Sequence, residues 1–418
     1  MATVNVVSTL NGLFKEIYAS NINSLIPDSA LLTKMVKFSV GERVGNNFHQ
    51  PVVLSHEHGA TFAASGSGAF SINTPIAMTL QDAQINGSQI LLASRMDYES
   101  AMKSSASKSA FVRGTELLIK TMVESHTKKL EVQLLYGQSG IGKFSATSGS
   151  GTTRVYTVLA ATFGPQIWAG GEGMALDLYN GASKLNTNAA VVVTAVDLDL
   201  GKVSVSGNAT DLTAIDTAIG STPSAFYLGA YGNECAGLDA IITNTGTLFN
   251  ISAATYNLWK GCTYAVGGTA LTMAKVLSAV GVTVARGLNE DAVLLVHPQT
   301  WNNLNSDQAA LRKYDAKYMP AGATNGFEAI EYFSQAGKIS VISHGLVKAG
   351  EAFLVPMKRA KRIGACDVTF GIPGSGETEN AFIPLQTNAG FEIRSYSHEA
   401  MFLETPARAC KLTGIVNA

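Results

Sequence analysis

The most regular pattern of hydrophobic and polar positions lies between residues 95 and 136. Apolar side chains recur there at the spacing of one helix face: Val112, Ile119, Val123, Leu130 and Leu134. Charges of alternating sign repeat every four residues on the opposite face: Glu116, Lys120, Glu124 and Lys128. This pattern predicts a helical strut about 60 Å long. The alternative is a kinked pair of helices, because Gly114 and the Ser/Ala run at 104–110 are weak points.

Residues 48–94 have the pattern of a long hairpin. Two extended stretches, Gln50–His56 and Thr74–Leu92, are joined by the small, flexible residues of Gly59–Gly68. An isolated two-stranded hairpin is marginally stable in water, so this one needs a partner surface from its own chain or another. Residues 1–47 predict an arm, with a short helix over Val7–Ala19 and too few apolar residues for a core.

Residues 187–232 read as a small inserted β unit. Val191–Asp199 and Lys202–Ser206 are rich in β-branched residues, and Gly201 stands at a turn between them. The Gly/Ser-rich residues 137–155 before this unit predict an exposed loop.

Helix and strand patterns mix from residue 233 onward. Helices are predicted at Ala270–Ala285 and Gln299–Tyr314, the second with Pro298 in its first turn. Short buried strands are predicted at Ala292–Val296, Lys338–Ile342 and Ala352–Val355. Residues 367–416 alternate in the manner of strands.

The composition indicates that much of the protein surface need not be exposed to water. Charged residues make up 15% of the chain and hydrophobic residues 46%, where ordinary soluble domains carry about 25% charged residues. A subunit surrounded by copies of itself has this property, since interface cores are depleted in charge. A soluble protein with a quiet surface is the alternative. The net charge of −1 excludes a global basic field for nucleic acid.

The cysteines and the apolar runs predict neither a cofactor nor a membrane span. Cys235, Cys262, Cys366 and Cys410 include no CxxC, so no zinc knuckle or redox pair is expected. They read as buried small hydrophobes in a reducing cytosol. Residues 1–15 lack the pattern of a signal peptide, and no apolar run approaches the roughly 18 residues of a membrane helix.

One motif resembles the first part of a phosphate-binding P-loop. Gly137, Gly142 and Lys143 have the required spacing. The motif continues with Phe144, where a P-loop has the Ser or Thr that holds Mg²⁺, and its predicted flanks are a helix end and a loop. The sequence therefore does not predict an ATPase.

Two other polar clusters are candidates for binding a metal ion or phosphate. His56 and His58 share one side of an extended strand, but no third metal ligand with suitable spacing is identifiable. They are predicted to be polar residues at a subunit contact, with no metal. The densest basic cluster, Lys358–Arg362, is predicted to be a solvated strand end, with weak phosphate contact as the alternative.

The order of these parts carries a resemblance. An arm, an extended hairpin and a long helix precede a mixed region with the segments AVLLVHPQTWNNL and GKISVISHGLVKAGEAFLV, and the chain continues to AGFEIRSYSHEAMFLETPARACKLTGI. This order resembles the major capsid proteins of tailed bacteriophages, which share the Hong Kong 97-type fold. The resemblance covers nearly the whole chain as an order of elements and implies an α+β capsid fold.

The resemblance also implies a division of the chain. The parts are an N-terminal arm (1–47), an extended β-hairpin loop (48–94), a peripheral domain (95–186) with its spine helix (95–136), the inserted β unit (187–232), an axial domain (233–360) and a return to the peripheral domain (361–418). The intersubunit contact residues expected on the loop are His56, His58, Phe62 and Phe70.

The function implied is that of a self-assembling structural subunit, without catalytic activity. Pentamers and hexamers of the chain would form the icosahedral shell of a virion, assembled in the host cytoplasm and enclosing double-stranded DNA with at most weak contact. The arm is too short for a fused scaffolding domain, so a separate scaffolding protein is expected, together with a portal protein and possibly a decoration protein. The alternatives are an encapsulin-like nanocompartment shell, a nucleotide hydrolase using Lys143, and a bacterial surface or tail component.

Overall fold

The computed structural model describes residues 30–40, 43–44, 47–99, 108–307, 330–370 and 382–417. Its helices are α1 (Leu32–Met35), α2 (Lys108–Tyr136), α3 (Pro165–Trp168), α4 (Ala209–Ala218), α5 (Leu238–Thr243), α6 (Met273–Val284) and α7 (Pro298–Ser306). The predicted arm helix at Val7–Ala19 lies outside the described residues.

The strands run through the described part of the chain from residue 38 to residue 415. They are β1 (Phe38–Val40), β2 (Arg43–Val44), β3 (Asn47–Ser55), β4 (Thr79–Ile85), β5 (Ser88–Asp97), β6 (Gly142–Ser148), β7 (Thr153–Val158), β8 (Ala175–Asn180), β9 (Ser183–Lys184), β10 (Val191–Asp197), β11 (Lys202–Ser206), β12 (Ser224–Tyr227), β13 (Thr247–Leu248), β14 (Ile251–Ser252), β15 (Cys262–Thr269), β16 (Ala292–Val296), β17 (Ile330–Ser334), β18 (Gly337–Ser343), β19 (Glu351–Val355), β20 (Ala360–Thr369), β21 (Phe382–Pro384), β22 (Gly390–Leu403) and β23 (Cys410–Ile415).

The long helix α2 lies against a five-stranded sheet. That sheet has the order β1-β20-β22-β21, with β5 on the other edge of β22. The helix packs on β5, β20 and β22 and buries Leu130 and Leu134, as the helical pattern predicted. Val123, which the same pattern placed on the buried face, is instead 37% exposed. It ends where the Gly137 N–H donates to the Gln133 carbonyl at 2.8 Å and Gln138 takes a left-handed φ of 69°.

The start of the predicted strut is wrong. Residues 95–97 belong to β5, which pairs with β22 from Ser88 opposite Glu399 to Asp97 opposite Gly390. The charges at Arg95 and Glu99 fit the helical spacing, but Arg95 instead pairs with Glu392 on the neighbouring strand at 2.6 Å. Residues 98–99 are helical, residues 100–107 lie outside the described residues, and the described part of α2 runs from Lys108.

The second sheet closes on itself. Its order is β10-β11-β7-β6-β12-β8-β9, and an additional β10–β8 pairing joins the two sides. The predicted strands of the inserted unit are confirmed as β10 and β11, with Gly201 at φ 60° between them. These strands share a sheet with β6–β9, so the sheet crosses the predicted boundary at residue 187, and the division into domains stays a prediction.

The loop predicted over residues 137–155 is wrong. Two strands, β6 and β7, occupy most of this stretch. Its Gly/Ser content suggested a loop, but Phe144 is fully buried and stacks on Tyr156 at 4.9 Å between ring centroids. Burial of these aromatic rings outweighs the low strand propensity of the residues around them.

The third large sheet has the order β15-β23-β19-β16-β18-β17, with α6 and α7 packed on it. The predicted elements at 270–285, 292–296, 338–342 and 352–355 are confirmed as α6, β16, β18 and β19. Helix α7 ends at Ser306, and residues 308–329 lie outside the described residues, so the predicted extension to Tyr314 is only partly described. A single core connects α2 with residues of all three large sheets.

Candidate intersubunit contact surface

The β3–β4 hairpin is anchored at one end only. Near its base, Ala83 and Ile85 are buried in a core that includes Trp259 and Phe402. The Gln84 N–H also donates to the Phe249 carbonyl at 3.0 Å. These contacts fix the hairpin to its own chain at its base, where Phe48 pairs with Ile85 on one side and with Arg43 on the other.

The other end of the hairpin, residues 56–78, is called the hairpin tip below. A bridge between His58 and Ile76 closes it, with N–H to carbonyl distances of 3.0 and 2.8 Å. The Asn73 side chain donates to the Ala60 carbonyl at 2.9 Å, and its N–H donates to the Thr61 hydroxyl at 2.8 Å. Gly59 has a φ of 107°, and a Cβ there would lie 2.6 Å from the Thr74 carbonyl. The tip therefore has a defined backbone shape without a core of its own.

The hairpin tip and the strand positions next to it expose an unusual number of large apolar side chains. The exposed fractions are 93% for Phe62, 81% for Ile72, 57% for Ile76, 55% for Phe70, 54% for Leu80, 53% for Met78 and 52% for Val53. Exposed apolar side chains that cluster in one segment are typical of a place of association in soluble proteins.

The four residues predicted to contact a neighbouring subunit all lie on the tip and are all exposed: His56, His58, Phe62 and Phe70. The sequence did not single out Ile72, Ile76 and Met78, whose neighbours are small or polar. What these three residues share is an apolar side chain in a segment that contributes little to a hydrophobic core.

The P-loop-like motif is built into a sheet. The Lys143 N–H donates to the Thr162 hydroxyl at 3.0 Å, and its carbonyl accepts from the Leu159 N–H at 2.7 Å. Lys143 also stands opposite Ser224 of β12. A phosphate-binding loop needs free backbone N–H groups that converge on the ligand, and this N–H is already used.

The one serine–histidine cluster found among the described residues joins two elements. His126 on α2 is fully buried, with Nδ1 2.9 Å from the Ser395 hydroxyl and Nε2 2.8 Å from the Ser397 hydroxyl. Burial lowers the pKa of His126 to about 4, so the ring is neutral at pH 7. Both ring nitrogens are occupied by serines, so no carboxylate orients the ring as a general base requires.

The basic cluster at Lys358–Arg362 is neutralised by neighbouring acids. Lys358 lies 3.6 Å from Asp291, Arg359 lies 3.0 Å from Glu290, and Lys361 lies 2.5 Å from Glu404. Arg362 is buried and pairs with Glu399 at 2.7 Å. The cluster lies at the start of β20, but Arg362 is buried and not solvated as predicted. The ion pairs leave little charge for phosphate.

A buried carboxylate, which the sequence analysis missed, attaches the start of the described chain to α2. Glu131 is fully buried and accepts from the N–H groups of Leu32 and Thr33, the latter at 2.9 Å. The Oε1 atom of the same carboxylate also lies 3.1 Å from Nε2 of His344. The residues come from three distant parts of the sequence, so no local spacing could reveal this cluster.

Metal ligands do not converge in the described part of the chain: no group of three or more His, Cys, Asp or Glu is placed to hold an ion there. The cysteines fall largely as predicted, with Cys235, Cys262 and Cys410 buried and Cys366 half-buried. The structure nevertheless sets Cys262 directly opposite Cys410 on neighbouring strands. Sequence spacing gave no sign of this pair of thiols. Among the described residues, no helix is long and apolar enough to cross a membrane.

Solved structures share this arrangement of elements. The chain is similar to a capsid chain of cyanophage A-1(L), with a TM-score of 0.54, 13% identity, and 96% of each chain covered. It is similar to a capsid chain of a native GTA particle, with a TM-score of 0.50, 10% identity, and 99% of this chain and 100% of that chain covered. No protein-family model and no curated protein matches the sequence. The likeness confirms the mixed helix and strand fold of phage capsid chains that the resemblance implied.

Proposed function

We propose that the chain is the major capsid protein of a tailed bacteriophage, a structural subunit that self-assembles into a closed icosahedral shell. The observation that carries this proposal is the capsid fold shared over 96% of the chain with the cyanophage A-1(L) capsid chain. The exposed apolar side chains of the hairpin tip support it independently, because they need a surface that their own chain does not supply.

The hairpin is proposed to be the extended loop that contacts a neighbouring subunit. Phe62 and Phe70 would each contribute about 1.5–3 kcal/mol if fully buried there. His56 and His58 would lie at the polar rim of the same contact, where imidazoles remain solvated. Since every copy presents the same tip and the same receiving surface, the contacts are heterologous and close into rings of five and six.

The other parts follow from the same proposal. Helix α2 would be the spine of the peripheral domain, and the sheet β15-β23-β19-β16-β18-β17 would lie in the axial domain. Containment of the genome would then be the function, in a virion assembled in the host cytoplasm, with no catalytic step. The ion-paired basic cluster and the net charge of −1 support at most weak contact with the enclosed DNA. A separate scaffolding protein, a portal protein and possibly a decoration protein are the expected partners.

The test is assembly of a variant that lacks the central part of the hairpin tip. Residues 60–71 are replaced by a short Gly/Ser link, and the chain is produced together with its scaffolding protein. We expect folded, soluble protein that forms no closed particles by electron microscopy. In the matched control, the same link replaces residues 198–200 of the β10–β11 turn, where Leu198 and Leu200 are also exposed; we expect particles to form.

Two outcomes would contradict the assignment. Normal particles from the tip variant would show that the hairpin is not an intersubunit contact. Wild-type particles that enclose a protein cargo and no DNA would instead identify a nanocompartment shell.

A further inference from the structure

Two thiols face each other inside the six-stranded sheet. Strands β15 and β23 run parallel, and their register places Cys262 directly opposite Cys410. The exposed fractions are 1% and 0%, and both side chains belong to the same hydrophobic core, together with Val276 and Val280 of α6. Residues opposite each other on neighbouring strands point to the same face of a sheet, so the two thiol side chains lie side by side.

The spacing of the two strands suits a covalent bond between these sulfurs. Neighbouring strands lie about 4.8 Å apart, and disulfides join Cα atoms that are about 4.4–6.8 Å apart. The pair can therefore be bridged without separating β15 from β23. Cys235 is also buried, but it lies in a different core, with Phe402 and Trp259.

The surroundings give the two thiols different roles. A hydrogen bond between the thiols and the nearby Arg286 charge lower the pKa of Cys262 to about 7. The guanidinium is held beside the strand because Arg286 Nη1 donates to the Gly261 carbonyl at 2.8 Å. The hydrogen bond with Cys262 and burial raise the pKa of Cys410. Of the two, Cys262 is the thiol that loses its proton more readily, so oxidation of the pair would begin there.

We propose that Cys262 and Cys410 are a redox-active pair that forms an intrachain disulfide when the protein meets a small two-electron oxidant such as hydrogen peroxide. The Cys262 thiolate attacks one peroxide oxygen, the O–O bond breaks, and the departing oxygen leaves as water after taking a proton, which gives a sulfenic acid. The Cys410 sulfur then attacks the Cys262 sulfur, the S–O bond breaks, and a second water leaves with the Cys410 proton. The two thiols lose two electrons and two hydrogens, and the peroxide becomes two waters.

The bond would fasten β23 within the sheet. This strand lies between β15 and β19 and pairs with both, so its removal would split the sheet into two. The disulfide would close a covalent loop over residues 262–410, and long loops lose the most conformational freedom when they are cross-linked in the unfolded chain. The oxidised protein should therefore resist unfolding more than the reduced protein does.

The experiment maps the thiols of the purified full-length chain. The folded protein is treated with hydrogen peroxide at neutral pH, denatured with N-ethylmaleimide to block remaining thiols, and digested with trypsin without reduction. We expect a peptide of residues 261–275 linked to a peptide of residues 409–411, lighter by two hydrogens than their sum, and separated by dithiothreitol. The unfolding temperature should rise on oxidation and fall again on reduction.

Single variants test the assignment. Cys262→Ser and Cys410→Ser should each abolish the linked peptides and the temperature shift, while Cys235→Ser should retain both. Because the mapping is done on the wild type, the result does not depend on how well any variant folds. The absence of linked peptides, their appearance only after denaturation, or linkage through Cys235 or Cys366 would overturn the proposal. An unchanged unfolding temperature in fully linked protein would refute the fastening of β23.

Discussion

The side chain of His126 couples the stability of the fold to pH. The ring is buried between two serine hydroxyls, and burial lowers its pKa from 6.5 to about 4. In the unfolded chain the ring is in water and binds a proton below about pH 6.5. The unfolded state therefore binds more protons than the folded state between about pH 6.5 and pH 4, and stability is lost as the pH falls through this window.

The prediction concerns the His126→Gln variant. From about pH 7.5 to about pH 5, one histidine with this shift removes about 2 kcal/mol of folding free energy. Glutamine has no proton to bind in this range, so the variant should lose about 2 kcal/mol less than the wild type over the same interval. Urea unfolding at both pH values measures the difference.

An exposed histidine provides the control. His56→Gln, on the hairpin tip, should leave the wild-type pH dependence intact. His297 is a second contributor, because burial lowers its pKa to about 4 as well, so the His126 variant should retain part of the dependence. An identical loss of stability in the wild type and His126→Gln would show that this ring does not govern the effect.

Single residues also show where sequence reasoning reaches its limit. Leu130 and Leu134 were assigned to a buried face by spacing alone, because their partners lie along the same helix. His126 and Glu131 stand on the same helix, but their partners come from β22, from residues 32–33 and from residue 344. Contacts between such distant residues leave no periodicity in the sequence, so neither buried polar group could be foreseen.

Among the elements, the segment with α1 and β1 has one buried carboxylate that joins it to α2. Glu131 accepts the Leu32 and Thr33 N–H groups, and β1 continues the segment as a parallel edge strand on β20. Each buried donor left without a partner costs about 1–3 kcal/mol. The contact between this segment and α2 is therefore sensitive to a single substitution.

We predict that Glu131→Ala loosens residues 30–37 while the rest of the fold remains. Trypsin should cleave after Lys34 and Lys37 about tenfold faster or more than in the wild type, because each 1.4 kcal/mol of lost stability raises the open fraction about tenfold. The matched control is Lys120→Ala, an exposed position on the same helix. Equal cleavage rates in both variants would refute the role of Glu131.

The hairpin divides into an end that stabilises the fold and an end that does not. Ile85→Ala, at a side chain that is 2% exposed, should lower the free energy of unfolding by about 2–4 kcal/mol. Phe62→Ala, at a side chain that is 93% exposed, should change it by less than about 0.5 kcal/mol. Chemical unfolding measures both values.

For assembly we expect Phe62 to matter even though its substitution barely changes the stability of the fold. The Phe62 variant should form fewer particles than the wild type, as seen by light scattering and electron microscopy, since the ring has a partner only in a neighbouring subunit under our proposal. Wild-type assembly by Phe62→Ala together with a large loss of fold stability would mean that the ring packs on its own chain.

The elements also show which parts of the fold could be read from the sequence. Helix α6 and strands β16, β18 and β19 were predicted closely because their apolar runs are bounded by turn residues. Strand β5 was divided between a hairpin and a helix, since Arg95 matches by coincidence the helical spacing of the charges that follow it, and the pairing partner of β5 lies about 300 residues away. The order of the elements was therefore more informative than any one of their boundaries.

For the molecule as a whole, balanced charge predicts weak attraction to DNA. The net charge is −1, and the cations of the Lys358–Arg362 cluster are paired with acids. Affinity for duplex DNA rests on free cations that displace counterions from the phosphates. Under our proposal, a shell with this surface would hold a genome without binding it along its length.

The corresponding prediction is that the purified subunit does not retard duplex DNA in a gel at about 0.15 M salt. The variant Glu404→Gln, which frees Arg359 and Lys361 from one partner, should bind more than the wild type at low salt. Glu57→Gln is the control, since it changes the net charge equally at an exposed position on the hairpin tip. Strong, salt-dependent binding by the wild type would contradict the weak contact proposed.

The position of β23 has a consequence for synthesis. Its neighbours β15 and β19 are made first and remain apart until residues 410–415 have left the ribosome and entered between them. A polypeptide released by premature termination before that point would keep two unpaired strand edges, which invite aggregation and proteolysis. Incomplete translation products cannot complete this sheet, and under our proposal we expect them to be lost before they enter a shell as defective copies.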